Sequence, residues 1–206
     1  MKIITRANAI INLRKYVGQN LRDLALKHKI TTFETGKQNK GWKGLVLEKL
    51  AGLDTNISKA PNGLNFELKS VSFCERKGEF VPKETMAITM INPKELLDME
   101  FYDSHCWSKL KSIVFCAVKW NGKNAEDAEL LKVTSFDFTN DGNLIAKIKK
   151  DYDFIRNKLK SSGFASLTGK DGKWIQARTK GIGHGSITRA FYARKSLVKR
   201  IFDNSK

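Results

Sequence analysis

Two residues of opposite charge, Glu67 and Lys69, stand two positions apart in the segment LNFELKS. If this segment is a β-strand, its period of two places both charged side chains on one face and Leu64, Phe66 and Leu68 on the other. The apolar face would anchor the strand in a core. Carboxylate oxygens bind hard divalent cations, and a nearby lysine can stabilise the charge that develops on a phosphate. The pattern therefore suits metal-assisted hydrolysis of a phosphodiester.

The residues before the strand strengthen this interpretation. Taken alone, Glu-x-Lys on an exposed strand face is more often a solvated charge pair than a catalytic one. Pro-Asn-Gly at 61–63 is a turn signal that delivers the chain into the strand. A proline, a short polar spacer and Glu-Leu-Lys at 67–69 match the shape of the PD-(D/E)XK nuclease motif. Glu48, on a helix predicted over 41–53, would complete the set of oxygen ligands.

The composition limits the class of protein and its partners. A chain of 206 residues suits one domain, spanning 1–206, or one domain with two lobes joined near the polar segment 120–127. No apolar run approaches the ~20 residues of a membrane span. The N-terminus lacks a secretion signal, which favours the cytoplasm. Three cysteines without metal-ligand spacing, Cys74, Cys106 and Cys116, are expected to be buried or bystander thiols.

The charge balance indicates a polyanionic partner. Lys and Arg number 38 against 21 Asp and Glu, for a net charge of +17. Such a surplus raises the rate of encounter with nucleic acid, and each neutralised phosphate releases counterions. An anionic membrane is the weaker alternative, because no segment pairs a basic face with a strongly apolar one. An RNA-binding role is weaker still, since no RNA-binding module is recognisable.

Hydrophobic periodicity predicts a mixture of helices and strands. The predicted helices cover 6–16, 20–28, 41–53, 93–99, 103–111, 142–159 and 196–202. The predicted strands are LNFELKSVSF, ETMAITMI, SIVFCAVKW, AELLKVTSFDF and GKWIQARTKG. The first two strands are expected to form an antiparallel pair, and SIVFCAVKW is expected to be a central strand because its middle, IVFCAV, is an unbroken apolar run. The chain is therefore expected to be α/β.

In the order and detail of these motifs the chain resembles the MutH family of PD-(D/E)XK DNA endonucleases from about residue 21 to residue 202. The resemblance is carried by NKGWKGLVLEKLAG, FELKS, KETMAITM, SHCWSKLKSIVF, WIQARTKG and FYARK. It implies a restriction-endonuclease-like fold, in which a central mixed sheet is flanked by helices and two lobes form a DNA cleft. It also implies Mg²⁺ as cofactor, with one ion or two, and double-stranded DNA as the partner.

The resemblance assigns roles to individual residues. The catalytic set that it implies is Glu48, Asn62, Glu67, Lys69 and Lys109. The metal ligands that it implies are Glu48, Asn62, Glu67 and Leu68. The residues that it places at DNA are Lys40, Glu84, Arg178, Lys180 and Tyr192. The alternatives are surface lysines at Lys40 and Lys109, strand-edge charges at Glu84 and Arg178, and a core aromatic at Tyr192. The family also has a histidine at His105, for which a structural role is at least as good an interpretation.

One position departs from the family pattern. The first metal ligand of the family is an aspartate, and Asn62 stands there with a shorter spacer before Glu67 than in MutH. Asparagine keeps a carbonyl oxygen but lacks the charge that attracts a divalent ion. Ala60 and Asp54 are poorer candidates, because neither follows a proline. Three explanations are open: a substitution introduced to block cleavage, a natural inactive relative, or a centre that tolerates asparagine. We favour the first, because every other catalytic position is intact.

Within the family the motifs favour a type II restriction endonuclease with a short recognition site, for which GATC is a guess. The region between Arg178 and Tyr192 is shorter than expected for MutH. The alternatives are a mismatch-repair nicking enzyme, which would act with MutL, and a non-catalytic DNA-binding relative. The chain is expected to act on DNA as a monomer or a homodimer.

Overall fold

The computed structural model describes residues 4–31, 33–34, 37–38, 41–53, 63–120, 128–181 and 187–204. The chain forms two compact units that alternate along the sequence. The first unit comprises Met1–Glu84, Ile113–Phe136 and Ile201–Lys206, and the second comprises Thr85–Ser112 and Asp137–Arg200. The predicted joint near 120–127 lies almost wholly outside the described residues and stays a prediction.

Seven α-helices and nine strands lie in the described part of the chain. The helices are α1 (Arg6–Arg14), α2 (Leu21–Lys27), α3 (Trp42–Ala51), α4 (Pro93–Asp98), α5 (His105–Leu110), α6 (Gly142–Ser162) and α7 (Lys195–Asp203). The strands are β1 (Phe33–Glu34), β2 (Lys37–Gln38), β3 (Glu67–Arg76), β4 (Glu79–Pro82), β5 (Met86–Met90), β6 (Ser112–Trp120), β7 (Ala128–Asp137), β8 (Ile175–Thr179) and β9 (Arg189–Ala193). All seven predicted helices are confirmed, with small shifts at their ends.

The helices of the first unit have clear local causes. The side chains of Thr5 and Asn20 accept hydrogen bonds from backbone N–H groups in the first turns of α1 and α2, at 3.3 and 2.8 Å. Gly52 ends α3 with a left-handed φ of 84°, which glycine adopts without strain. α1 and α2 both pack on α3, which also contacts β3. Leu13 and Leu47 are fully buried in this core.

The main sheet of the first unit is mixed and has the strand order β4-β3-β6-β7. β3 runs antiparallel to β4 and parallel to β6, with Glu67 opposite Ile113 and Phe73 opposite Lys119. β6 lies between β3 and β7 and is buried through its middle, which confirms the prediction of a central strand. A mixed sheet with helices packed against it also confirms the predicted α/β, restriction-endonuclease-like fold.

One predicted strand pairing is wrong. We expected β3 to pair with the run that forms β5, but its antiparallel partner is β4. Lys77 and Gly78 have φ angles of 52° and 79°, and two consecutive residues of positive φ are typical of the tight turn that joins neighbouring antiparallel strands. The chain therefore returns along β3 at once. β5 pairs instead with β9, a strand that the sequence analysis did not predict.

The second unit contains a three-stranded antiparallel sheet of order β5-β9-β8. Tyr152 of α6 lies at its core. The ring of Tyr152 stacks on Phe191 and meets Phe101 edge-on, with centroid distances of 5.5 Å in each case. Its hydroxyl donates to the backbone oxygen of Met99 at 3.1 Å, and burial raises its pKa to about 12. An aromatic cluster thus joins α6 to the sheet and to the segment before α5.

A buried carboxylate fixes the start of β8. Asp151 of α6 accepts three backbone N–H groups, from Lys173 at 2.9 Å, Trp174 at 2.5 Å and Ile175 at 3.0 Å. Gly172 has a φ of +81°, and a Cβ there would overlap the backbone oxygen of Ile175. The loop before β8 can therefore adopt this path only with glycine at 172 and an acceptor at 151.

The cysteine prediction is confirmed for two thiols. Cys106 and Cys116 are buried, and burial raises the pKa of both, that of Cys116 to about 12. Cys74 is half-buried on β3. Among the described helices, none combines the length and the apolar character needed to cross a bilayer.

Replacing Asp151 with alanine is expected to lower the free energy of unfolding by about 3 kcal/mol or more, because three backbone N–H groups, two part-buried and one buried, lose their acceptor. Chemical denaturation would measure the change. Asp153→Ala on the same helix is the matched control. Asp153 pairs with Lys149 at 36% side-chain exposure, so its loss should change stability by no more than about 0.5 kcal/mol. Equal effects of the two variants would show that Asp151 does not hold the loop.

Candidate functional site

Glu67 and Lys69 form a close ion pair on β3. The Lys69 ammonium lies 2.9 Å from Glu67 Oε1, and the two side chains are 15% and 4% exposed. The prediction that they share a face is confirmed. Their burial does not fit a solvated charge pair, which would be exposed, and the catalytic role of the pair stays a prediction. Burying two charges carries a desolvation penalty that offsets much of their mutual attraction. Stabilisation of the fold alone is therefore a poor explanation of the pair.

The opposite face of β3 anchors the strand, although not with all the residues expected. Phe66 and Leu68 are 1% and 8% exposed and belong to the core of the first unit. Leu64 is 49% exposed and precedes the strand, so its predicted place in the apolar face is wrong. It lies in the turn at 63–66, where strand alternation has not begun.

That turn folds tightly on Phe66. The N–H of Gly63 donates to the backbone oxygen of Phe66 at 3.1 Å, and a Cβ at Gly63 would overlap the Phe66 ring. Asn65 follows with a φ of 60°, a conformation that asparagine tolerates better than most residues. Glycine is thus needed at 63 for close approach. Asn62, with Pro61, lies outside the described residues, so its predicted role as a ligand stays a prediction.

The remaining predicted ligands of the first unit are oxygen donors on packed elements. Glu48 is half-buried on α3, the helix that contacts β3. Leu68 can offer only its backbone carbonyl, since its side chain is apolar. Oxygen donors of this kind suit Mg²⁺. Within the described ranges, no three His, Cys, Asp or Glu side chains are grouped so that they could hold a metal ion. The donor atoms are of the type that Mg²⁺ binds, and the magnesium site, with the amide of Asn62 as a further donor, stays a prediction.

Glu84 lies among basic groups that the sequence analysis did not single out. Its carboxylate accepts from the N–H of Ser72 at 3.4 Å. Burial lowers the pKa of Lys43, the charge of Glu84 opposes that shift, and the charge of Lys83 adds to it. The Lys83 ammonium lies 3.3 Å from the centroid of the Trp120 ring. In the sequence, Lys43 directly follows Trp42 at the start of α3. The hydrophobic periodicity of this helix does not indicate that Lys43 interacts with other charged groups.

Two of the predicted DNA-binding residues meet in the second unit. Arg178 of β8 lies 5.2 Å from the centroid of the Tyr192 ring on β9, and it also donates to the hydroxyl of Thr85 at 3.3 Å. Arg178 is exposed and Tyr192 is half-buried. Lys180 is exposed, and its N–H donates to the backbone oxygen of Thr188 at 3.1 Å, beside the undescribed segment 182–186. The β8–β9 hairpin thus holds a guanidinium, an ammonium and a phenol near its exposed end.

Lys109 lies in the second unit, half-buried in the last turn of α5. Ser104 caps this helix by accepting from the N–H of Trp107 at 3.2 Å. His105 Nε2 lies 3.7 Å from Glu95 Oε2 of α4, and the role of this histidine stays open. Lys40 lies outside the described residues.

The chain was compared with protein families and with curated proteins. The family of the DNA mismatch repair enzyme MutH matches residues 55–151, a little under half of the chain. This segment contains β3, β6 and α5 with Glu67, Lys69 and Lys109, whereas Glu48, Arg178 and Tyr192 lie outside it. No curated protein matches the chain significantly. This match supports a MutH-like endonuclease that acts on DNA, and the similarity is carried by residues 55–151.

Proposed function

We propose that this protein is a Mg²⁺-dependent endonuclease that cuts double-stranded DNA at a short specific site, as a type II restriction endonuclease does. The observation that supports it best is the buried pair of Glu67 and Lys69, 2.9 Å apart within the segment that matches the MutH family. A buried carboxylate–ammonium pair within a nuclease motif is more readily explained by a catalytic role than by a contribution to stability.

The proposed roles follow from the chemistry of each group. Glu48, Glu67, the carbonyl of Leu68 and the amide of Asn62 would hold the ion. When bound, Mg²⁺ lowers the pKa of a coordinated water and offsets negative charge on the phosphate. Lys69 donates hydrogen bonds to the attacking oxygen or to the phosphate, and Lys109 adds a second positive group. Hydrolysis would leave a 5′-phosphate and a 3′-hydroxyl.

Recognition is proposed to depend on the β8–β9 hairpin. An arginine can donate two hydrogen bonds to guanine in the major groove, and Arg178 is exposed beside Tyr192. Lys180, Glu84 and Lys40 are proposed to contact DNA as well. The net charge of +17 supports a polyanionic substrate. We propose action in the cytoplasm by a monomer or homodimer.

Two other functions each have a specific observation in their favour. The matched family is that of a mismatch repair enzyme, which favours a nicking endonuclease that acts with MutL. Asn62 in place of aspartate favours a DNA-binding relative without catalysis. We prefer restriction, because the segment between Arg178 and Tyr192 is shorter than we expect for MutH.

Asn62→Asp is expected to raise Mg²⁺-dependent plasmid cleavage by at least about 100-fold, because even the outer partners of metal ligands contribute 10- to 100-fold. The new carboxylate restores the charge that attracts the ion. Asn65→Asp is the matched control, since it adds the same charge at an exposed turn position three residues away. If neither variant cuts while both bind DNA, the non-catalytic alternative is correct.

In the Asn62→Asp background, Glu67→Gln or Lys69→Ala is expected to reduce the cleavage rate by about 100-fold or more, with DNA affinity in EDTA kept within a few-fold. Single-turnover cleavage and gel shifts would measure the two quantities. Glu75→Gln and Arg76→Ala, at exposed positions of the same strand, serve as controls that should cut normally. Normal cutting by the Glu67 and Lys69 variants would remove this pair from the catalytic centre.

The form of the cleaved plasmid separates restriction from repair. Active Asn62→Asp protein without any partner is expected to convert supercoiled plasmid to linear product, and sequencing of the ends would give the site. Accumulation of nicked circles, with stimulation by MutL, would instead establish the repair function.

A further inference from the structure

A cavity of 510 Å³ in the second unit lies between α6 and the loop before β8. Its α6 wall presents residues spaced three and four apart, which share one helix face. The side chains that point to its ligand chemistry are Lys147, Lys150 and Phe154 from α6 and Lys170, Lys173 and Trp174 from the loop. The cavity therefore combines four ammonium groups with two aromatic rings.

The two carboxylates of the wall are already engaged by other groups. Asp151 accepts its three backbone N–H groups. Asp171 accepts from Lys158 at 2.7 Å and from the N–H of Thr168 at 2.6 Å. These contacts satisfy both negative charges within the fold. The remaining charged residues of the wall, Lys147, Lys150, Lys170 and Lys173, are all basic.

The loop that carries half of the wall is held in place before any ligand arrives. Arg194 donates to the backbone oxygens of Gly172 and Gly169, each at 2.8 Å. Trp174 is half-buried, with the Lys147 ammonium 5.8 Å from its ring centroid. Phe154 is 52% exposed, which is unusual for a phenylalanine. A ligand would thus meet a preformed wall, at a lower entropic cost than a mobile one.

We propose that this cavity binds a nucleotide, with the base stacked on Trp174 or Phe154 and the phosphate held by the lysines. Aromatic stacking combined with lysine contacts to phosphate is the usual recognition of unpaired nucleotides. The volume lies within the range of small-ligand pockets. An acidic peptide would use the lysines but leave both rings unused. The nucleotide belongs either to an unpaired DNA strand or to a free nucleoside phosphate, and the proposal does not depend on cleavage.

The test compares binding by two triple variants in EDTA. Lys147→Ala/Lys150→Ala/Phe154→Ala changes the cavity, and Lys160→Ala/Lys195→Ala/Tyr102→Ala removes the same charge and one exposed ring elsewhere in the second unit. Fluorescence anisotropy would follow a labelled oligonucleotide of about 12 residues and an abasic strand of equal length. The cavity variant is expected to bind the oligonucleotide about 10-fold more weakly, and the control within about two-fold.

The abasic strand separates stacking from charge. The wild-type protein is expected to prefer the strand with bases, and the cavity variant to lose that preference. Calorimetric titration with adenosine monophosphate identifies which form of nucleotide the cavity binds. Binding that the cavity variant loses indicates a free nucleotide. No binding of adenosine monophosphate, together with oligonucleotide binding that depends on the cavity, indicates an unpaired strand. Equal effects of the two triple variants, or an equal loss of poly-glutamate binding in the cavity variant, would overturn the proposal. Thermal unfolding of each protein verifies that all are folded.

Discussion

Glu67 and Lys69 meet at 2.9 Å with little access to solvent, and the rest of the first unit is arranged around the strand that carries them. Desolvating two charges is expensive, and their attraction offsets that penalty only when the geometry is maintained. β3 pairs with β6 along Glu67–Phe73 and with β4 along Phe73–Arg76, and Phe66 and Leu68 anchor its start in the core. The turn at 63–66 sets where the strand begins, because Gly63 lies directly against Phe66.

A buried charged side chain also positions the sheet of the second unit. Asp151 is a buried carboxylate whose charge is satisfied by three backbone N–H groups, so the loop cannot shift without exposing unpaired polar groups. That loop leads directly into β8, where Arg178 lies beside Tyr192. The contact between α6 and the loop before β8 thus helps to position the exposed Arg178.

The positive charges of the chain differ in their exposure and therefore in their effect. Many lysine and arginine side chains of the described residues are exposed, where their charge accelerates encounter with polyanions and is screened by salt. Lys43 is different, because burial lowers its pKa and Glu84 partly restores it. The charges of the cavity beside α6 form a third case. Its carboxylates are hydrogen-bonded within the fold, and its lysines line a preformed space.

The sequence by itself determined the local features: the helices, the central apolar strand, the shared face of Glu67 and Lys69, and a family resemblance that the match over residues 55–151 confirms. These depend on residue periods and short motifs, which are encoded within a few positions. Only the tertiary structure decided the partner of β5, the exposure of Leu64 and the burial of the Glu67–Lys69 pair. Those properties depend on contacts between segments far apart in the chain, and neither strand pairing nor burial has a local period to reveal it.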